Sequence, residues 1–212
     1  MIQVCEPPAV RRQVRRVSAE EFYALARREA SGFYRPQSEV RRMLTAGEVW
    51  GACGPRSEPE AALLVLPLNA NTAAAAALRE CTGWDAVRGG SFLTPPLVRE
   101  TGQLSQLVAA AAQRARHLAR GGPVWAVLEC TAQTEPLTAL YLQQGFALRA
   151  MRPLESLAPC CLFAAAGPAE RPEPVWVPMA DCARVARLLA RGWAAVDSRP
   201  SPQGLALGLC PV

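Results

Sequence analysis

Two hydrophobic periods alternate along the chain, one typical of amphipathic helices and one typical of buried strands. The helical period begins after Ser18 and occurs again after Pro36. Ser18 and Glu21, three residues apart, form the sequence pattern of a capping box, which predicts the start of the first helix. The second helix is predicted to end at about Ala46.

Short apolar runs between these helical segments predict the strands of one central sheet. The predicted strands are 13–17, 48–53, 61–68, 91–94, 124–128, 146–151 and 160–165. The run 124–128 is continuously apolar, which is typical of a strand buried on both faces. Pro95 and Pro96 have no N–H to donate, so regular pairing of the strand before them is expected to end there.

Three more helices are predicted in the central part of the chain. Residues 70–80 are rich in Ala, and residues 103–119 repeat apolar positions at helical spacing. A third, shorter helix is expected to begin at Thr134, whose hydroxyl would cap it, with Pro136 in its first turn and Gly145 just after its end.

The order of these elements predicts a mixed α/β domain with one central sheet. We assign residues 13–166 to this domain. Residues 167–174 are rich in Pro and Glu and are interpreted as a linker. The remainder of 167–212 predicts a strand, a helix capped by Asp181 and a hairpin. This extension is too small for a core of its own, so we expect it to pack on the main domain or on a partner chain, as in a homodimer.

Composition narrows the function classes. Half of the 212 residues are hydrophobic and only 19% are charged, which predicts a sizeable core rather than disorder. The basic residues are all Arg, and the net charge of +5 suits a polyanion such as the phosphates of coenzyme A. These Arg residues are scattered without an aromatic and basic patch, which disfavours nucleic acid as a partner.

The eight Cys form no CxxC pair, and the single His117 lies far from most of them. Zinc sites normally show paired ligands at short spacing, so no metal site is predicted. Several Cys stand in apolar runs, which favours buried thiols in a reducing cytosol. The N-terminal residues lack the apolar segment of a secretion signal, and no apolar run approaches the ~20 residues of a spanning helix. We therefore expect a soluble, cytoplasmic protein without a membrane partner.

The motifs that carry chemistry lie between residues 94 and 146. Pro96 stands six residues before Gly102 in the pattern Arg99-x-x-Gly102, and the later helix ends Leu140-Tyr141-x-x-x-Gly145-Phe146. This arrangement resembles the GCN5-related N-acetyltransferase (GNAT) superfamily over about residues 13–165. The resemblance implies a GNAT-like acyl-CoA N-acyltransferase fold, with a mixed, mostly antiparallel sheet flanked by helices and, here, a C-terminal helix-and-strand extension.

The resemblance also implies a site for acetyl-CoA as co-substrate. Its pyrophosphate would be held at the N-terminus of a helix, where unpaired N–H groups and the helix dipole favour anions. The residues of this cradle would be Arg99, Glu100, Thr101, Gly102, Gln103 and Leu104. Leu104 occupies a position where the superfamily has Gly or Ala, and Glu100 places a negative charge beside the phosphates.

The pantetheine arm would bind where two strands part. By resemblance these are the strand Phe92-Leu93-Thr94 and the strand that ends at Glu129-Cys130. A backbone N–H of Leu93 or Thr94 would then polarise the thioester carbonyl. Thr134 stands where the superfamily usually has a coenzyme-binding Asn.

Tyr141 matches the superfamily's general acid, which protonates the departing thiolate. A phenol of pKa near 10 keeps its proton at neutral pH and can donate it. The alternative is that Tyr141 is an aromatic residue packed on the core. No general base is evident. Glu129 and Asp85 are the nearest candidates, Glu129 is better explained as a strand-end residue, and some acetyltransferases use a water relay.

Two functions remain open from the sequence. One is an N-acetyltransferase that transfers acetyl from acetyl-CoA to an amine of a small molecule or peptide by direct attack. The other is a catalytically impaired binding or interaction module of the same fold. Glu100, Leu104 and the missing base favour the second.

Overall fold

The computed structural model describes residues 13–28, 37–70, 75–76, 79–80, 89–98, 104–129, 134–153, 159–165 and 172–212. Its helices are α1 (Ala19–Arg28), α2 (Gln37–Ala46), α3 (Leu104–Leu118), α4 (Glu135–Gln143) and α5 (Cys182–Ala190). Its strands are β1 (Gln13–Arg16), β2 (Glu48–Cys53), β3 (Pro59–Pro67), β4 (Ser91–Leu93), β5 (Leu97–Val98), β6 (Val124–Glu129), β7 (Phe146–Pro153), β8 (Pro159–Ala165), β9 (Val175–Pro178), β10 (Trp193–Ser201) and β11 (Gly204–Pro211).

The strands form one sheet in the order β1-β2-β3-β4-β6-β8-β7-β10-β11-β9, and β5 pairs with β3. Among the described strands, β4 and β6 form the one parallel pair, and every other pairing is antiparallel. Parallel neighbours need a long crossover connection, and α3 lies within it. The predicted mixed, mostly antiparallel α/β fold is confirmed.

Helices cover both faces of the sheet. One core lies under α1 and α2 and includes Phe22, Leu25 and Met43. The other lies under α3, α4 and α5 and includes Leu107 and Tyr141. The strand predicted from the apolar run 124–128 is buried along its whole length, since each of these residues is at most 4% exposed.

Local signals in the sequence predict the helix ends well. The Ser18 N–H donates to the Glu21 carboxylate at 2.7 Å, and the Glu21 N–H donates to the Ser18 hydroxyl at 3.2 Å, which is the predicted capping box. Asp181 accepts a hydrogen bond from the Arg184 N–H at 3.2 Å, as predicted for its cap. Gly145 follows α4 with a φ of 80°, a conformation that only glycine adopts without strain.

One cap prediction is wrong. Thr134 precedes α4, but its side chain makes no capping hydrogen bond, because its backbone already has near-helical angles of φ −97° and ψ −1°. An N-cap side chain reaches the helix N–H groups from an extended backbone. The Ala-rich helix predicted at 70–80 lies mostly outside the described residues, within which positions 75–76 and 79–80 are helical.

The C-terminal segment continues the sheet. β10 pairs with β7 through Ala195 and Leu148, and β11 and β9 follow it. Leu207 and Val177 belong to the same hydrophobic core as Tyr141. The division into 13–166 and 167–212 stays a prediction, as does a homodimer.

Within the described part of the chain, no helix has both the length and the apolar character that crossing a membrane requires.

Candidate active site

The sheet opens between β4 and β6. Their parallel pairing ends with Leu93 opposite Ala126. Beyond it, β5 stays with β3, where Leu97 pairs with Ala62, whereas the rest of β6 pairs only with β8 among the described strands. This is the place where Pro95 and Pro96 predict that the two strands separate.

Thr94 explains why the chain follows β3 rather than β6. Its N–H donates to the Leu64 carbonyl at 3.1 Å, and its side-chain Oγ1 accepts from the Leu64 N–H at 3.0 Å. The hydroxyl therefore replaces a backbone acceptor just before Pro95. The prediction that the Thr94 N–H polarises a thioester carbonyl is wrong, because this N–H is already bonded to β3.

Leu93 is the last residue of β4 that pairs with β6. Residues of an antiparallel ladder direct their N–H and C=O groups alternately to one side and the other. Since Thr94 is bonded to β3, Leu93 directs its backbone polar groups toward β6. The side chains of Phe92 and Leu93 are buried in the two opposite cores, and the backbone of Leu93 belongs to the ladder with β6, opposite Ala126.

A row of paired residues links the opening to Tyr141. Leu93 pairs with Ala126, and Ala126 pairs with Phe163 on β8. The Tyr141 ring stacks on Phe163 with ring centroids 5.4 Å apart. Neighbouring strands lie about 4.8 Å apart, so Tyr141 covers a position one strand away from the point where β4 and β6 part.

Tyr141 is completely buried and contacts Phe146 edge to face, at 5.3 Å between ring centroids. The predicted packing on the core is therefore confirmed. Its hydroxyl has no hydrogen-bond partner in the described structure. Burial raises the pKa of Tyr141 well above its ordinary value, so the phenol keeps its proton at neutral pH. Whether it donates that proton in a reaction stays a prediction.

The first residue of α3, Leu104, has its side chain in the core, with only 7% exposed. The bulk of Leu104 is therefore packed in the core, although the superfamily has Gly or Ala at this position. The other five residues of the predicted cradle, Arg99 to Gln103, lie outside the described residues.

The start of α4 contacts the C-terminal hairpin. The Glu135 carboxylate accepts a hydrogen bond from the Leu205 N–H at 3.0 Å. Thr134, the predicted coenzyme-binding residue, directly precedes Glu135 and is half-buried. The hairpin therefore contacts the same helix turn that the resemblance places near the coenzyme.

A general base is not identified among the described side chains. Asp85 and the side chain of Glu129 lie outside them. His117 is exposed on α3, as expected of a surface residue. The half-buried Glu48 is held by Arg114 at 2.6 Å, which keeps the pKa of this carboxylate below its usual value and makes it a poor base.

Sequence reasoning missed Thr138. It lies on α4 three residues before Tyr141, is completely buried, and its hydroxyl also has no partner in the described part of the chain. The available signal was its helical spacing from Tyr141, which puts both side chains on one face.

The fold matches solved acetyltransferase structures. A protein from Desulfovibrio desulfuricans assigned as an acetyltransferase of the GNAT family aligns over 73% of this chain and 98% of its own, with 17% identity and a TM-score of 0.50. A protein assigned as a phosphinothricin N-acetyltransferase aligns over 74% of this chain and 98% of its own, with 14% identity and a TM-score of 0.50. No family model and no curated protein sequence matches the chain.

At these identities the similarity concerns the fold. The chain has the fold of the GNAT acetyltransferases, as the resemblance in sequence predicts. Both neighbours align almost completely, so about a quarter of this chain has no counterpart in them.

Proposed function

We propose that this protein is an acetyl-CoA-dependent N-acetyltransferase. It transfers the acetyl group directly to an amine of a small molecule or peptide, without a covalent enzyme intermediate. The observation that carries the proposal is the opening between β4 and β6, one strand away from Phe163, on which the buried ring of Tyr141 stacks.

The opening suits a pantetheine arm because it leaves strand backbone without a neighbouring strand. Beyond Ala126, β6 has a partner strand only on its β8 side among the described strands. An extended chain with amide groups can take the vacant side, as an added strand does. Leu93 lies opposite Ala126 within the β4–β6 ladder, so its N–H is taken up by that pairing, and we assign no described N–H as the donor to the thioester carbonyl.

Tyr141 supplies the proton in this proposal. The amine nitrogen attacks the thioester carbonyl carbon, the carbon–sulfur bond breaks, and the departing sulfur takes the phenolic proton. The phenol keeps its proton at neutral pH, as a donor must, while the burial that raises the pKa of Tyr141 also makes the phenolate left by this step costly. Residues 99–104 would hold the pyrophosphate at the start of α3, and Thr134 would contact the coenzyme at the start of α4.

The competing proposal is a binding or interaction module that does not catalyse. Two observations favour it: the Thr94 N–H is bonded to β3, and the Tyr141 side chain has no exposed surface. In that case a ligand could bind in the opening, but no backbone N–H would polarise a thioester carbonyl and no side chain would protonate the departing sulfur.

Thermal unfolding with and without acetyl-CoA tests whether the protein binds acetyl-CoA, which both proposals assume. At 100 times its dissociation constant a ligand adds ~2.7 kcal/mol to the free energy of unfolding. For a chain of this size the melting temperature should rise by about 5–10 °C. An unchanged melting temperature at millimolar acetyl-CoA would contradict both the acetyltransferase and the binding module. A higher melting temperature without thioester cleavage on a panel of amines would favour the non-catalytic module.

The variant Tyr141→Phe tests the acid. We expect at least a tenfold lower kcat, in the range of lost acid catalysis, with the acetyl-CoA-induced rise in melting temperature retained. An unchanged kcat would refute the role of Tyr141 as acid.

A further inference from the structure

Four buried side-chain atoms in the described part of the chain have no hydrogen-bond partner, and two of them belong to one helix face. They are the hydroxyls of Tyr23, Thr138 and Tyr141 and the indole N–H of Trp125. Thr138 and Tyr141 are both fully buried on α4. Buried polar groups without a partner are rare in folded proteins, so two adjacent ones call for a common explanation.

Helix geometry makes these two side chains neighbours on one face of α4. Residues three positions apart are neighbours on a helix surface. A helical side chain leans toward the N-terminus, over the residues three and four positions before it. The Tyr141 ring therefore lies over the turn that contains Thr138. The ring is also fixed, because Phe146 and Phe163 hold it from two directions.

A Thr in a helix ordinarily satisfies its hydroxyl on the carbonyl four residues earlier. Thr45 does this on α2, where its hydroxyl donates to the Arg41 carbonyl at 2.9 Å. Thr138 makes no such bond, so its hydroxyl is available to another group. A single buried water commonly joins two polar groups of this kind.

We propose that Thr138 is a positioning residue for the proton donor, acting through one buried water that joins its hydroxyl to the phenol of Tyr141. This inference rests on the proposed acetyl transfer. When Tyr141 gives its proton to the departing sulfur, its O–H bond breaks and an S–H bond forms. The water, held by Thr138, donates a hydrogen bond to the resulting phenolate oxygen. The proton released by the acylated amine then restores the phenol.

The test compares Thr138→Val, which keeps the shape and removes the hydroxyl, with Thr138→Ser, which keeps the hydroxyl. We expect Thr138→Val to lower kcat about tenfold with an unchanged KM for acetyl-CoA, and Thr138→Ser to stay within about twofold of the natural protein. In the Tyr141→Phe background, Thr138→Val should have no further effect on kcat. The matched control Thr45→Val, on an exposed helix position, should leave kcat unchanged.

Several results would overturn the proposal. One is an unchanged kcat in Thr138→Val, and another is the same loss in Thr138→Ser. A third is a loss of equal size in the Tyr141→Phe background, since this would show that Thr138 does not act through Tyr141.

A stability measurement keeps the inference separate from the proposed function. If a shared water joins the two hydroxyls, the changes in melting temperature for Thr138→Val, Tyr141→Phe and the double variant should not add. This holds without acetyl-CoA and without turnover. Additive changes would refute the shared water even in an active enzyme. Non-additive changes in a protein that does not bind acetyl-CoA would contradict only the acetyl transfer.

Discussion

Tyr141 combines two properties that rarely occur together. Its ring has the contacts of a core aromatic residue, stacked on Phe163 and edge-on to Phe146. Its hydroxyl lacks the partner that buried tyrosines usually have. Packing and proton donation are therefore compatible roles for this side chain, because the ring contacts fix the position of the phenolic oxygen and leave the O–H free to turn.

Glu21 gives a pH prediction at the residue scale. Arg15 binds its carboxylate at 2.5 Å and the Ser18 N–H adds a second bond, which together lower the pKa of Glu21 from 4.5 to about 2. A lowered pKa in the folded state stabilises the protein above the unfolded pKa, and this contribution is lost as pH falls from about 4.5 toward 2.

The variant Glu21→Gln should therefore have a lower melting temperature than the natural protein at pH 7. The difference should become smaller as the pH approaches 3, since the unfolded chain then binds a proton at Glu21 that the folded protein does not bind. Thermal unfolding of both proteins at several pH values measures this difference in melting temperature. A difference that stays constant between pH 7 and pH 3 would show that the charge of Glu21 does not act as described.

Among the interactions of single residues, the sequence predicts the hydrogen bonds between residues that are close together in the chain. The capping box is contained within four residues, so its pattern is sufficient. The state of the Thr94 N–H was not predictable in the same way, because its acceptor, Leu64, is thirty residues earlier and depends on strand pairing. The burial of Tyr141 depends likewise on Phe163.

At the scale of elements, the C-terminal hairpin contacts α4, the helix that carries Tyr141. The sequence alone did not predict this contact. Gly204 has a φ of 97°, and a Cβ placed there would lie 2.8 Å from a Glu135 carboxylate oxygen. The hairpin turn thus fits closely against the first turn of the helix that carries Tyr141.

We expect Gly204→Ala to destabilise the protein for two reasons. The positive φ costs about 1–2 kcal/mol for a residue with a Cβ, and the added methyl group displaces the Glu135 carboxylate from the Leu205 N–H. Gly192→Ala is the matched control, because Gly192 has a φ of 84° and open space around its Cβ position. Equal losses in the two variants, measured by denaturant unfolding, would contradict the hairpin contact.

Most element boundaries were predictable from apolar spacing and helix-end residues, and β2 and α2 follow the predicted ranges closely. Thr134 shows where that reasoning fails. A Thr before a helix matches the cap pattern, but the backbone at Thr134 is already near-helical. The sequence pattern contains no information on that backbone angle.

At the scale of the whole molecule, the extension is part of the continuous sheet. β10 lies beside β7, and Ala195 extends the row that runs from Leu93 through Ala126 and Phe163 to Leu148. The sequence predicted the strands of the extension and offered two docking places, the main domain or a partner chain. It could not choose, because an apolar strand has the same pattern against either.

The central claim is that acetyl-CoA binds where β4 and β6 part. Amide proton and nitrogen chemical shifts, recorded while acetyl-CoA is added to the full chain, test this claim most directly. We expect saturable changes at Leu93, Val127 and Leu128, and none at Val177 on β9, near the far edge of the sheet. No change at millimolar acetyl-CoA, or changes confined to β9 and β11, would contradict the account.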